Sequence, residues 1–317
     1  MRTKGRVFRS QLSPSPPSNY TSSLFIRIAD ITYAIVSFDP SLRIQAIYLD
    51  RNFLIHEANP DLTIGAGWDD LSNGQRGKKV FDSGGLWQLY KYNGKYSFSF
   101  TSPVFGSIPY KVALVNKDFT SAEVLLHRPY FDTDQPVNPL EYPLDELLFI
   151  NLLSFGKGVE IHACGVKDSL GRGHLFVGQS AAGKSTMARL WQGVSGVTVL
   201  SDDRIVLRKL SGKIWMYGTP WHGDAGLASP GRAPLSRVYF LKHGPKNEIL
   251  KQGPVESMTR LFTCSFLPFY SPEALDFTLG FFEEVVKAVP CFEIRFLPDK
   301  RITEFILSVE DRVLGCP

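Results

Sequence analysis

Residues 177–190 read VGQSAAGKSTMARL, and the stretch from Gly178 to Ser185 fits the spacing G-x-x-x-x-G-K-[ST]. No other run constrains the fold of this chain as strongly, because such a loop works only between a strand and a helix. Both flanks comply. The apolar segment GHLFV precedes it, and Lys184 to Gln192 follows with helical periodicity, stopped by Gly193. A polyphosphate needs several hydrogen-bond donors at short range. Gly178 and Gly183 let the backbone N–H groups of the loop converge on an anion, and the N-terminus of the following helix adds a favourable dipole. Ser180, Ala181 and Ala182 are small and keep the approach open. Lys184 is placed to neutralise the β- and γ-phosphates, the Ser185 hydroxyl to ligate Mg²⁺, and Thr186 to add a contact nearer the α-phosphate.

A phosphate cradle needs further groups to do chemistry. The strand-like VTVL ends in Ser201-Asp202-Asp203, just downstream of the loop. If that strand runs parallel beside the loop strand, its carboxyl end reaches the phosphates. Two adjacent carboxylates there divide labour: one holds Mg²⁺ or its water, the other accepts a proton from an incoming hydroxyl. Signatures that would direct the loop elsewhere are missing or misplaced. Asp82-Ser83-Gly84-Gly85 matches the D-x-x-G of GTPases but precedes the loop, Asn116-Lys117-Asp118 stands before it too, and no LSGGQ occurs. Small kinases and simple ATPases remain.

The first half of the chain is of a different kind. LFIRIADITYAIVSF holds two strand-like runs around Asp30, and LWQLYKYNGKYSFSF is a hairpin about Asn93-Gly94. YKVALV and AEVLLH are further strand candidates. After the linker-like FDTDQPVNPLEYP, LDELLFINLLSF reads as a helix ending at Gly156, and GVEIHACGV as a strand with Val159, Ile161 and Ala163 on one face and Glu160, His162 and Cys164 on the other. Beyond the aspartates come the hairpin RIVLRKL–Ser211-Gly212–KIWMYG, the strand LSRVYFL, a helix opened by Ser271-Pro272-Glu273, the strand FEIRFL and a last helix opened by Asp299. Interleaved strands and helices with hairpins predict an α/β architecture on a mixed sheet. The expected division is a flexible tail over 1–22, a β-rich N-terminal domain over 23–135, and a domain carrying the phosphate loop over 136–317.

Composition narrows the partners. Of 317 residues, 44% are hydrophobic and 21% charged, and the formal net charge of +4 comes with no dominant basic block. Nucleic acid is therefore not an expected partner. No apolar run approaches the ~18 residues that span a bilayer, so no membrane partner is expected. Cys164, Cys264, Cys291 and Cys316 have no metal-ligand spacing and read as reduced thiols of a cytoplasmic protein, without zinc. A homo-oligomer is compatible with the sequence.

VEIHACGV, the phosphate loop, VLSDDRIV and YGTPWHGDAG, in that order over roughly residues 143–300, resemble the HPr kinase/phosphorylase family and its wider group of related proteins. The resemblance implies a phosphoenolpyruvate-carboxykinase-like P-loop core and transfer of a nucleotide γ-phosphate to a serine of a small carrier protein, or of a peptide in some related enzymes. It implies that His162 matches the family's upstream active-site histidine, Lys184 its loop lysine, Ser185 its metal-binding serine, and Asp203, with Asp202 beside it, its proton acceptor. Thr186 stands where the family's kinase/phosphorylase members carry glutamate, and Trp215 falls near the place of their later metal-binding glutamate. Asp224 in the Gly-rich GTPWHGDAG is a substitute metal ligand beside Ser185 and Asp202.

The expectation is thus a kinase using Mg²⁺ and a nucleotide, ATP or GTP, with a hydroxyl-bearing, serine-like acceptor on a protein, peptide or small molecule. The alternative is a nucleotide-binding regulatory or assembly module with weak ATPase activity. A carboxykinase acting on a small acid would need a second metal site, for which no His/Lys constellation is evident.

Overall fold

The structure is a computed structural model describing residues 23–46, 51–73, 77–132 and 134–313. The expected tail over 1–22 and Cys316 lie outside these residues. The chain forms two compact units that divide between Leu148 and Phe149, inside a helix, α1 (Leu144–Leu153), with the short segment 51–53 grouped with the second unit. The composition of the sequence places the change at residues 135–136. Both units are built on large mixed sheets with few helices.

The first unit carries β1 (Ser23–Ile28), β2 (Ile31–Ser37), β3 (Leu54–Ile55), β4 (Leu62–Asp69), β5 (Lys78–Asp82), β6 (Trp87–Tyr92), β7 (Lys95–Phe100), β8 (Lys111–Val115) and β9 (Ser121–His127). They form a nine-stranded sheet in the order β3-β1-β2-β4-β9-β8-β7-β6-β5. β2, β4 and β9 run parallel, and the remaining neighbours are antiparallel. Two turns are fixed by local chemistry. Ala29-Asp30 and Asn93-Gly94 all adopt positive φ, which gives a two-residue hairpin the twist of its strands. The pairs Ile28↔Ile31 and Tyr92↔Lys95 close them.

The second unit carries β10 (Val159–Lys167), β11 (Gly173–Val177), α2 (Lys184–Gln192), β12 (Thr198–Ser201), β13 (Arg204–Leu210), β14 (Lys213–Gly218), β15 (Arg232–His243), β16 (Glu248–Lys251), α3 (Pro254–Thr263), β17 (Ser265–Phe266), α4 (Pro272–Ala288), β18 (Cys291–Phe296) and α5 (Arg301–Val313). The order β11-β10-β13-β14-β15-β18-β16 closes on itself, because β11 also pairs with β15 in parallel. Two long strands make this closure. β10 pairs with β13 and β17 through its first half and with β11 and β12 through its second. β15 begins on β14 and continues between β11 and β18.

Strict alternation along β10 distributes the core. Val159, Ile161 and Ala163 join a cluster with Leu261 of α3 and Phe281, Phe282 and Val285 of α4. Cys164 and Val166 join another with Phe176, Met187 and Trp191 of α2, and Ile302 and Ile306 of α5. Helices thus cover the sheet on both faces, and each large apolar side chain so buried contributes about 1.5–3 kcal/mol. Glu160 and His162 share the face of Cys164, so one strand packs under α2 with its far end and offers polar groups with its near end.

Candidate functional site

The phosphate loop leaves β11 at Val177 and enters α2 at Lys184. Ala181 (φ 64°) and Gly183 (φ 99°) occupy the left-handed region, the turn chemistry that directs successive N–H groups inward. A Cβ on Gly178 would lie 2.5 Å from the Ala182 Cβ, and one on Gly183 would lie 2.8 Å from the Phe296 ring, so side chains at these two positions collide. Gln179, Ser180 and Ala181 are exposed, Ala182 and Gly183 half-buried. The Ala182 N–H donates to the Gln179 carbonyl at 3.2 Å, and the His243 ring meets the Ala181 carbonyl at 3.1 Å.

The aspartates arrive by a route the sequence does not announce. β12 is not beside β11: β10 lies between them. Both β12 and β11 are antiparallel to β10, so β12 still runs in the direction of β11 and ends at the same edge. β12 and β13 then pair successively with β10, at Gly165–Lys167 and at Val159–His162. Asp202 and Asp203 bridge the gap, where the Ala163 N–H donates to the Asp203 carbonyl at 3.0 Å. Such a break leaves main-chain donors to be satisfied. The Ser201 hydroxyl oxygen accepts from the N–H groups of Asp203 (3.2 Å) and Arg204 (3.1 Å), a local side-chain bond that stabilises the bend.

The two carboxylates do different things. Asp202 is fully buried. Its Oδ1 accepts from the N–H groups of Gly223 (3.0 Å) and Leu227 (3.3 Å), its Oδ2 from the N–H of Ala225 (3.0 Å) and the hydroxyl of Ser185 (2.9 Å). It therefore ties the loop after β14 to the first turn of α2. Asp203 retains some exposure and is surrounded by cations. Its Oδ1 meets His162 Nε2 at 2.8 Å and lies 3.7 Å from Lys184 Nζ, and its Oδ2 pairs with Arg204 Nη1. Burial pushes the Asp203 carboxyl up, but the hydrogen bond from His162 and the charges of Arg204, His162 and Lys184 outweigh it and hold the group below the usual carboxylate range. Burial likewise pulls Lys184 below the ordinary lysine range, against the opposing effect of Asp203. Lys184 Nζ also donates to the Gln179 carbonyl at 3.0 Å.

The structure thus brings Gly178, Ala182, Gly183, Lys184, Ser185, His162, Asp202 and Asp203 together through direct contacts or chain continuity. Thr186 is half-buried in the first turn of α2. Asp224 is attached through its main chain, its carbonyl accepting from Arg189 Nη2 at 2.7 Å, while its side chain is exposed. Among the described residues no group of three or more His, Cys, Asp or Glu is arranged to hold a metal. The Ser185 hydroxyl and the Asp202 carboxylate behind it are oxygen donors beside the loop.

Two members of the site, Gly223 and Arg204, lie in stretches the sequence marks but take their places only from the fold. Gly223 sits so close that a Cβ there would lie 2.9 Å from Asp202 Oδ2 and 3.3 Å from Ser185 Oγ. Arg204, one of several arginines in the region, is placed by the cross-strand pair His162↔Arg204. Its Cζ lies 4.0 Å from the Phe266 ring centroid.

Comparison with protein-family models gives no match, and comparison with curated proteins gives none either. No helix among the described residues is long and apolar enough to cross a membrane.

Proposed function

We propose that the second unit is an Mg²⁺-dependent kinase that moves the γ-phosphate of ATP or GTP to a hydroxyl acceptor, on a phosphoenolpyruvate-carboxykinase-like core related to the HPr kinases. One observation carries the reading. A phosphate-type loop and an acidic pair meet at one edge of a sheet, with Lys184 Nζ 3.7 Å from Asp203 and Ser185 Oγ 2.9 Å from Asp202.

In this reading the loop from Gly178 to Thr186 binds the polyphosphate through its N–H groups, and Lys184 moves from the Gln179 carbonyl onto the phosphate oxygens. The Ser185 hydroxyl, backed by Asp202, would be the protein's oxygen ligand to Mg²⁺, and the ion would supply charge neutralisation to the substrate's phosphates. Asp224 reaches the same region only if its exposed side chain turns inward. The acceptor oxygen attacks the γ-phosphorus, the bond to the bridging β–γ oxygen breaks, and the nucleoside diphosphate leaves. Asp203, ionised at neutral pH, takes the acceptor's proton. His162 holds Asp203 Oδ1 and fixes its direction. Asp202, with both oxygens already engaged by four donors, is the poorer proton acceptor of the two.

The test follows the label. With γ-labelled nucleotide, Mg²⁺ and hydroxyl-bearing candidates, the wild-type chain puts label on an acceptor, and Asp203→Asn loses transfer by about 10²-fold or more, the range of a general base. Label appearing only as inorganic phosphate, at equal rates in both proteins, contradicts the kinase reading and favours a nucleotide-binding module with weak ATPase activity.

A further inference from the structure

Arg204 lies among three groups, from the bend before β13, from β10 and from β17. Asp203 Oδ2 pairs with its Nη1. Glu160 Oε1 lies 3.6 Å from its Nε. The Phe266 ring centroid is 4.0 Å from its Cζ, and the same ring neighbours His162 at 5.6 Å. The backbone puts them there. His162↔Arg204 and Glu160↔Phe266 are cross-strand pairs on either side of β10, and Glu160 and His162 are two residues apart on one face of it. Glu160 has no exposed surface, and the Arg204 side chain retains only 15%.

A carboxylate buried this deeply costs several kcal/mol unless a cation faces it. Arg204 supplies that cation and at the same time reaches the aspartate beside it. A planar guanidinium stacked on a ring and flanked by two carboxylates has little rotational freedom left. Lysine offers a point charge with rotatable donors, without the plane or the fixed fork of a guanidinium.

We propose that Arg204 is a positioning residue for Asp203: clamped by Glu160 and Phe266, it holds Oδ2 so that Oδ1 alone is presented toward His162 and the phosphate loop. The inference rests on the kinase reading for its catalytic consequence, while the clamp is a property of the fold. The charged and titratable groups around the pair are Glu160 and His162 of β10, Lys184 of α2, Asp202, and Cys264 at the end of α3. None of them is a second guanidinium.

Two measurements decide it separately. The first is a double-mutant cycle in urea with Glu160→Gln, Arg204→Gln and both, which needs no activity. Arg204→Gln alone destabilises, and adding Glu160→Gln recovers part of the loss, because the buried charge that Arg204 faced is gone. Additive losses overturn the clamp. The second is steady-state transfer by Arg204→Gln and Arg204→Lys. We expect at least a tenfold fall in kcat for Arg204→Gln at unchanged nucleotide KM, a smaller fall for Arg204→Lys, and partial recovery of Arg204→Gln with added guanidinium ion. A kcat within twofold of wild type in folded Arg204→Gln overturns the positioning role. Absence of transfer in the wild type instead removes the kinase reading and leaves the cycle to judge the clamp.

Discussion

The Ser185 hydroxyl donates to Asp202 Oδ2 at 2.9 Å, joining the first turn of α2 directly to the bend that follows β12. That bond, with three main-chain donors from the loop after β14, gives Asp202 an architectural task and leaves Asp203 as the carboxylate with cations and solvent around it.

The stability of the second unit therefore depends on Asp202 more than on Asp203. Asp202→Ala removes the acceptor of three partly buried N–H groups and a hydroxyl, and we expect a loss of roughly 2–5 kcal/mol. Asp202→Asn keeps one carbonyl acceptor and loses less. Urea denaturation followed by tryptophan fluorescence checks both. A loss below that of Asp203→Asn contradicts the assignment.

Two glycines predict opposite signs. Gly223→Ala places a Cβ 2.9 Å from Asp202 Oδ2 and 3.2 Å from the Asp203 Cβ, so the loop must move, at a cost of roughly 1–3 kcal/mol, and nucleotide binding weakens with it. Gly280→Ala lies on the exposed side of α4 with nothing within 4 Å of the new Cβ, and it stabilises by roughly 0.5–1 kcal/mol. Midpoints of thermal unfolding for the two variants should fall on opposite sides of wild type.

How much of this was legible in the sequence depended on what kind of signal each part carries. The hairpins at Asn93-Gly94 and Ser211-Gly212 are readable because positive φ demands particular residues, whereas around Asp30 the sequence shows two strand-like runs and Ala29 at positive φ gives no such signal. The loop, α2 and the α4 cap at Ser271, whose hydroxyl oxygen accepts from the Ala274 N–H at 3.2 Å, follow from equally local chemistry. α3 is absent from the expected elements although Gly253-Pro254 opens it and Val255, Met258, Leu261 and Phe262 recur at helical spacing. The insertion of β10 between β11 and β12 is a long-range pairing that no local pattern encodes. Gly223, Ala225 and Leu227 act through main-chain N–H groups, which every residue but proline possesses, so only the fold reveals them. Arg204 looked like any arginine until cross-strand pairing set it beside His162.

Acid should act on the second unit at a point away from the phosphate loop. Asp168 is buried. Burial raises its carboxyl, but hydrogen bonds with His174 (3.0 Å) and Arg172 (2.6 Å) overcome this and hold it well below the ordinary value of 3.8. A depressed folded-state value means the stabilisation is fully present above about 3.8 and is lost as pH falls from there toward the folded value. Asp168→Asn should lower stability at neutral pH and flatten its decline between pH 4 and 2, roughly the window this linkage sets. An unchanged acid limb in urea unfolding of Asp168→Asn contradicts the linkage.

The central claim is that the loop around Lys184 holds a nucleotide's phosphates and that Asp203 acts after binding. Calorimetric titration with Mg²⁺ and a non-hydrolysable ATP or GTP analogue tests it most directly. The account predicts saturable binding to the wild type, binding weakened by about 10- to 100-fold in Lys184→Ala, the loss of one charge-assisted contact, and near-wild-type binding in Asp203→Asn. Equal affinity of wild type and Lys184→Ala, or no binding of either nucleotide by the wild type, would contradict it.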